Sequence, residues 1–475
     1  MKDKLVQYFK QNAIYLMLLA YGLAGVVTIV FFDGTGDSGD SIMHYLFARY
    51  APVHPELYFD HWAKPLFVLI SSPFAQFGFN GMKLFNLSVS LLTLYLTYLT
   101  ARSLGMPNPL LGVVFLIFMP LQYILTFSGL TEPLFALFLI GAIFLAIHRK
   151  YLAAAVVVSL MPFVRSEGLI IILVFGGWLL CKRQWKYIPW LLAGHILYSF
   201  AGYSVHHDLL WIFTKIPYGS LDAKYGSGPL LHFVTQMNYV IGVPLYLLLV
   251  AGIFSYLWHW IRKKGMISPD ETILIFAGFF LFFIAHSLFW YLGIFNSMGL
   301  KRVLLGAAPL ISLMALRGFN LLTLEIIPGK KVVTRIMGGL LVTYVVIFPF
   351  THNPAAIRFS NDMKATREQT MAKAVASYMA QNPVPSQNKM LYTHPYLSES
   401  MNIDHFNGLR RRDLTMRNVS LLQPGDKVIW DNWFAVVETK TTLRSLLETP
   451  GLVREIDFSA NEDGHEIKFV VLRKD

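Results

Sequence analysis

Apolar stretches close to membrane-crossing length recur between Tyr15 and Phe350, separated mostly by short polar turns. A helix needs about 20 apolar residues to cross hydrocarbon. The pattern predicts eleven helices, over residues 15–32, 82–100, 110–125, 133–147, 151–164, 169–180, 189–203, 239–260, 272–294, 303–316 and 332–350. The pair 151–164 and 169–180 is short, which would hold its tip, Arg165-Ser166-Glu167-Gly168, below the outer membrane surface. Residues 65–79 are also apolar but shorter than a span, and counting them as a crossing would invert every later basic loop. They read as a helix lying in or dipping into the outer leaflet. Beyond Asn353 the hydropathy falls, and the pattern becomes that of a soluble α/β unit with an amphipathic helix at 364–380. Short strands are expected at 389–392, 427–430 and 467–472. The predicted fold class is therefore mainly α: a polytopic transmembrane helical bundle over residues 1–352 and a small C-terminal α/β domain over residues 353–475.

Composition removes the soluble alternative. The chain is 55% apolar and 14% charged, with a mean hydropathy of +0.51, whereas soluble domains carry about 25% charged residues. The net charge of +12 could suggest nucleic acid, but its distribution argues against that partner. When loops are assigned alternately to the two sides, the cations gather on one: Lys2, Lys4 and Lys10, then Arg102, Arg149 and Lys150, Lys182, Arg183 and Lys186, Arg262 to Lys264, Arg317, and Lys330, Lys331 and Arg335. That side is cytoplasmic by the positive-inside rule, which puts the amino terminus inside and the tail outside. The opposite loops and the tail are close to balanced, so the excess charge is a topological signal. The basic leader precedes an apolar run too long for a signal peptide, without a small-residue cleavage site before Asp33, and reads as a retained first helix. Cys181 is the only cysteine, so no internal disulfide can form.

Polar chemistry concentrates outside. The expected outer loops are 33–81 and 204–238, while no cytoplasmic segment is large enough to form a ligand pocket of roughly several hundred cubic ångströms. The first outer loop opens with Asp33, Asp37 and Asp40 in a Gly-rich turn. Turn chemistry explains Gly and Asp here, and Asp40 suits an N-cap for a helix at 41–49. Capping accounts for one of the three carboxylates; the others suit a general base or a divalent-ion site. His44, His54, Glu56, Asp60, His61, Trp62 and Lys64 follow. Tyr58, Trp62 and Lys64 fit interfacial anchoring, and Lys64 could alternatively pair with a lipid phosphate. Other candidate phosphate partners are Lys301 and Arg302, Arg165, and Lys215 or Lys224; Arg165 has the structural alternative of an ion pair with Glu132 or Glu167. Adjacent His206 and His207 seldom converge on one ion and read as a loop. In the tail, Trp430 and Trp433 read as packing a strand end, and Arg410-Arg411-Arg412 as a solvated face.

The order of first helix, acidic outer loop with surface helices, Lys64-Pro65-Leu66 entering an apolar segment, and 81–86 opening the second span resembles the GT-C glycosyltransferases. The likeness is to the bacterial branch similar to protein O-mannosyltransferases and aminoarabinose transferases. Ser128-Gly129-Leu130-Thr131-Glu132-Pro133-Leu134 and Pro162-Phe163-Val164-Arg165-Ser166-Glu167-Gly168 resemble GT-C sequence as well. The resemblance spans residues 15–350. It implies a polyprenyl-phosphate-linked sugar donor, a catalytic acid in the first outer loop, and cations around the lipid phosphate. Relatives often carry adjacent acids, whereas here Asp37 and Asp40 are separated. Asp40 precedes the His44-Tyr45 surface helix as the family acid does, so it is the favoured base, then Asp37, then Asp33. Substrate contacts are expected from Asp33, His44, His61, Lys64, Glu132, Arg165, Glu167, Lys301 and Arg302.

The expected function is inverting sugar transfer to an extracytoplasmic lipid, glycan or protein acceptor, at a bacterial inner membrane with the site facing the periplasm. A divalent metal is the one cofactor the acids suggest, and membrane lipids are the surrounding partner. A transporter or flippase is the alternative, but duplicated halves and midplane charges are not evident. A noncatalytic scaffold would leave the acidic turn unexplained.

Overall fold

The computed structural model describes residues 2–217, 225–261, 267–326, 331–462 and 464–475, with side chains from residue 12 onward. Lys224, Arg262, Lys263, Lys264 and Lys330 lie outside the described residues. The first half is helical: α1 (Lys2–Phe31), α2 (Asp40–Tyr50), α3 (Pro65–Ala75), α4 (Phe79–Ser103), α5 (Pro109–Ile117), α6 (Pro120–Thr126), α7 (Glu132–Ile147), α8 (Tyr151–Leu160), α9 (Gly168–Cys181) and α10 (Ala193–His206). Six helices among the described residues are long and apolar enough to cross a membrane: Asn12–Phe31, Phe79–Ser103, Val243–Ile261, Pro269–Leu292, Lys301–Glu325 and Lys331–Phe350. Glu132–Ile147, Tyr151–Phe163 and Gly168–Cys181 are shorter apolar helices, as is α3.

The expected single helix at 110–125 is corrected. The chain bends by 70° between α5 and α6, because Pro120 lacks an N–H and disfavours helical backbone at the preceding residue. Met119 accordingly takes φ −73° and ψ 116°. Beyond the bend, Tyr123 and Thr126 bond the α1 hydroxyls of Thr28 (2.7 Å) and Tyr21 (3.2 Å).

The bundle centres on Lys301–Glu325, whose apolar window is 94% buried, while the windows of Asn12–Phe31 and Lys331–Phe350 are only 22% buried and face outward. The central helix meets Val243–Ile261 nearly backbone to backbone. A Cβ on Gly252 would lie 2.0 Å from the Met314 carbonyl oxygen, and one on Gly318 2.0 Å from that of Leu248. Small residues permit such close approach where lipid, unlike water, gives apolar surfaces no drive to associate.

The tail forms a five-stranded sheet in the order β2-β1-β3-β5-β4, from β1 (Met390–Leu391), β2 (Arg411–Arg412), β3 (Lys427–Asp431), β4 (Leu452–Glu462) and β5 (His465–Lys474). The strand β1 pairs parallel with β2 and β3, and β5 pairs antiparallel with β3 and β4. Every β3 residue is buried. The expected helix at 364–380 begins at Arg367, because Thr366 and Gln369 form a reciprocal capping box there. The strands β2 and β4 were not expected. Arg411 also corrects the reading of a solvated arginine face: it is buried in β2, donates to the Tyr392 carbonyl (2.9 Å) and pairs with Asp413 (2.6 Å). Trp430 is buried, but Trp433 is 42% exposed, so only the first packs the strand end.

Candidate active site

One end of the bundle is built around the start of α2. Gly39 occupies the N-cap position and Asp40 the first helical one. The Asp37 carboxylate accepts from the N–H groups of Gly39 (3.0 Å) and Ser41 (2.9 Å). Asp37 therefore performs the capping expected of Asp40, which corrects that expectation. A carboxylate two residues before the N-cap can reach the N–H of the N-cap and one of the helix's unsatisfied donors, and Asp40 is left to project from the first turn.

Both aspartates meet one cation. Arg302, from the amino-terminal end of the central helix, donates through Nη1 to Asp37 and through Nη2 to Asp40. Its Nε lies 3.5 Å from Glu132 Oε1 at the start of α7. Glu132, only 1% exposed, is also 2.9 Å from Arg165 Nη1, and Arg165 Nη2 donates to Glu167 at 2.7 Å. A line of alternating charge thus runs Asp37/Asp40, Arg302, Glu132, Arg165, Glu167. At its far end His286 Nε2 is 3.8 Å from Glu167, and Lys64 Nζ donates to Ser166 Oγ (3.0 Å) and the His61 carbonyl (3.2 Å). Lys64 holds φ at 69°, a left-handed conformation that non-glycine residues seldom adopt outside constrained sites.

Neutral side chains lock this line in place. Ser41 Oγ donates to the Thr35 carbonyl (2.5 Å) and accepts from Gly129 N–H (2.7 Å). Buried Asn86 donates to the carbonyls of Ser128 (2.7 Å) and Leu130 (3.1 Å). A Cβ on Gly129 would lie 2.3 Å from the Ser41 carbonyl oxygen, so the 128–132 strip can press on α2 only with glycine there. His44 stacks on Trp62 with ring centroids 4.9 Å apart.

Burial sets the electrostatics of the loop. It pushes the Asp37 carboxyl above its ordinary value, with Arg302 opposing and Asp40 adding to the rise, although 28% of the side chain remains open to solvent. Burial pushes His44 down to about 3 and His61 down to about 4, with Lys64 reinforcing both, so both rings are neutral at physiological pH. The Lys64 ammonium is pushed down to about 8 by burial, against the pull of Glu167.

Seven of the residues singled out in the sequence converge here: Asp37, Asp40, Lys64, Glu132, Arg165, Glu167 and Arg302. Arg165 has both of the ion pairs weighed for it. His44 and His61 line the same loop, but His61 Nε2 bonds the Ile212 carbonyl (3.0 Å). Asp33 lies apart, bonding Ala365 N–H (2.9 Å) and Lys373 (3.1 Å) in the tail. The Lys301 ammonium sits 4.8 Å from the Tyr239 ring centroid, and Lys215 is exposed. His206 bonds the Phe59 carbonyl (3.0 Å) and stacks on Trp211. Among the described residues no group of three His, Cys, Asp or Glu is placed to hold a metal. A resident divalent ion does not fit between Asp37 and Asp40, because the Arg302 guanidinium takes that place. Sequence reasoning missed Thr35, Ser41, Asn86, Ser166 and Gln369. The spacing of Thr366 and Gln369 signals a helix start but not what the glutamine touches.

On the tail side of Asp37 a cleft of about 320 Å³ is lined by Thr35, Gly36, Asp37, Arg358, Asn361, Asp362, Lys364, Thr366 and Glu462. The arrangement gives a partly open carboxylate pair, a line of alternating charge leading away along the bundle, and a polar cleft on the other side.

No known protein-family profile and no curated protein matches the sequence. Solved structures do. ArnT from Cupriavidus metallidurans, an aminoarabinose transferase, superposes in the apo state with a TM-score of 0.60 at 12% identity, covering 97% of this chain and 98% of that one. The same protein bound to undecaprenyl phosphate gives 0.58 at 11% identity, over the same shares. The Archaeoglobus fulgidus oligosaccharyltransferase, tethered to an acceptor peptide containing the NVT sequon, gives 0.55 at 11% identity, over 90% of this chain and 70% of that one. Extending over nearly the whole length, helices and C-terminal sheet together, the likeness shows that this chain has the fold of the GT-C glycosyltransferase superfamily.

Proposed function

We propose that the protein is a membrane glycosyltransferase that moves a sugar from a polyprenyl-phosphate-linked donor to an extracytoplasmic acceptor, with Asp40 as general base. The observation that carries this reading is the pair Asp37 and Asp40 held by Arg302 at the outer end of a GT-C bundle. Asp40 is the more open of the two, at 45% side-chain exposure, and has no backbone donor on its carboxylate among the described residues. In the proposed step, the acceptor oxygen bonds to the anomeric carbon as the bond from that carbon to the phosphate oxygen breaks. The acceptor's proton passes to Asp40, and the polyprenyl phosphate leaves as an anion stabilised by Lys64 and Arg165. Direct displacement inverts the anomeric centre. The acceptor enters by the cleft between Asp37 and the tail, and the donor from the opposite side, where Lys64 and Arg165 stand. ArnT, with the same fold, was crystallised with undecaprenyl phosphate, which supports a lipid phosphate as the leaving group. The setting is a bacterial inner membrane with the site facing the periplasm.

The test is incubation of the purified protein in liposomes with a radiolabelled polyprenyl-phosphate hexose or pentose and an extract of envelope lipids, glycans and proteins. Label in an acceptor fraction is the expected result. Donor moved across the bilayer without cleavage would overturn the enzyme reading in favour of a flippase.

A further inference from the structure

The tail makes no direct contribution to the line of charges, yet it reaches the turn that carries the aspartates. Gln369 is fully buried at the start of the Arg367–Gln381 helix. Its Nε2 donates to Thr35 Oγ1 at 2.5 Å and lies 3.5 Å from the Asp37 carbonyl oxygen. The Thr35 hydroxyl in turn donates to that same carbonyl at 2.7 Å. The other end of the amide, Oε1, accepts from Thr366 N–H at 3.2 Å, closing the capping box. One side chain thus joins the helix start of the tail to the peptide that follows Asp37, a residue more than 330 positions away in sequence. Neighbouring contacts run the same way: Gly34 N–H donates to the Met363 carbonyl (2.9 Å), and the hydroxyls of Ser38 and Thr366 are 3.3 Å apart.

We infer that Gln369 is a positioning residue: it sets the backbone of the Thr35–Asp40 turn and through it the placement of the Asp37 and Asp40 carboxylates. The physical reason is donor arithmetic. Thr35 has one hydroxyl hydrogen, committed to the Asp37 carbonyl, and the Gln369 amide supplies a donor to a remaining lone pair of this buried hydroxyl. Only an amide can give that hydrogen while its own oxygen caps the helix. Asp37 then spends one carboxylate oxygen on the amides of Gly39 and Ser41, so a shift of the turn carries both aspartates with it. The catalytic consequence rests on the proposed glycosyltransferase reading, whereas the hold on the turn does not.

The isosteric variant Gln369→Glu separates positioning from folding. A carboxylate still accepts from Thr366 N–H, so the helix keeps its capping box and gains a favourable charge at its N-terminus. It has no hydrogen for Thr35 or the Asp37 carbonyl. Burying the carboxylate lowers the melting temperature, so exchange and transfer are measured well below the transition, where the full-length variant and the wild type are both folded. Amide hydrogen exchange at Gly39 and Ser41 should accelerate by roughly tenfold or more. Transfer should lose roughly 10- to 100-fold in kcat with the donor KM within about twofold, the cost expected of small misplacements. Lys373→Ala removes ties to Asp33 and Tyr396, neither of which touches the Thr35–Asp40 hydrogen bonds, and should leave exchange and kcat unchanged. Thr35→Val, which removes the hydroxyl from the other side, should reproduce the exchange and kcat effects. Combining it with Gln369→Glu should add little, because both break one network. Wild-type exchange and kcat in Gln369→Glu would overturn the inference, as would a loss that merely tracks a lowered melting temperature or an equal effect of Lys373→Ala. If the wild-type protein transfers no sugar, the exchange comparison still decides whether Gln369 holds the turn, and the failure then belongs to the proposed function.

Discussion

The division of labour between two aspartates three residues apart is decided by which one spends its oxygens on backbone. Asp37 caps α2 and Asp40 does not, so the two substitutions by Asn should differ. Asp40→Asn keeps size and polarity but cannot take a proton at neutral pH, and transfer is expected to fall by about 10²-fold or more with donor binding retained. Asp37→Asn keeps an oxygen for Gly39 and Ser41 but loses the ionic contact with Arg302, and a drop of about tenfold is expected. Near-wild-type transfer by Asp40→Asn at saturating donor would move the base to Asp37. Lys64 supplies a pH test. Its ammonium, pushed down to about 8, loses its charge as pH rises through that value, and with it the attraction for a lipid phosphate. The expected result is a donor kcat/KM that falls on the alkaline side of about pH 8, and a Lys64→Met variant with a low value and no such limb. At this scale the sequence showed which residues were ionisable and which were expected to share one side. It did not show the pairing, because Arg302 is more than 260 residues from the aspartates it bridges.

Among the elements, the apolar period was enough to place most helices, since each must satisfy its own backbone in hydrocarbon. The break between α5 and α6 was signalled by Pro120, but the size of the bend depends on what the two halves pack against. The strands β2 and β4 lacked a clean alternation. The first is two residues long, and the second is partly buried along much of both faces rather than polar on one. The Ser128–Glu132 strip was read from resemblance, and its physical role is contact: Gly129 lets it touch Ser41. Gly129→Ala would drive a methyl to 2.3 Å from the Ser41 carbonyl oxygen, a backbone atom that cannot swing aside. The expected outcome is displacement of α2 away from α7 and Arg302. Transfer measured at equal protein should fall by roughly 10²-fold, while Gly141→Ala, whose Cβ would meet a side chain at 3.7 Å, should stay near wild type.

For the whole molecule the prediction concerns sidedness. A reporter fused after Asp475 should be extracytoplasmic and one inserted after Lys264 cytoplasmic. Both reporters on one side would break the predicted alternation of loops. The tail and the first outer loop must share a side in any case, because His54 pairs with Asp404 (2.8 Å), Arg49 lies 3.6 Å from Glu399, and Gly34 bonds Met363. The C-terminal domain thus docks on that loop through the chain around Met363 and the Pro395–Ser400 helix with the turn after it, rather than through its strands.

The one-dimensional pattern determined that the chain lives in a bilayer, roughly where its helices lie, which end carries the polar chemistry, and that a small α/β unit follows. These are consequences of local composition, since hydrocarbon penalises every uncompensated charge and open peptide group regardless of the partner. What only the tertiary structure decided is which charges neutralise one another and which aspartate remains open. It also decided that Gln369 of the tail completes the hydrogen bonds of the Asp37 turn. Ion pairs and buried hydrogen bonds depend on separations of about 3 Å, and those separations join residues hundreds of positions apart that no local pattern links.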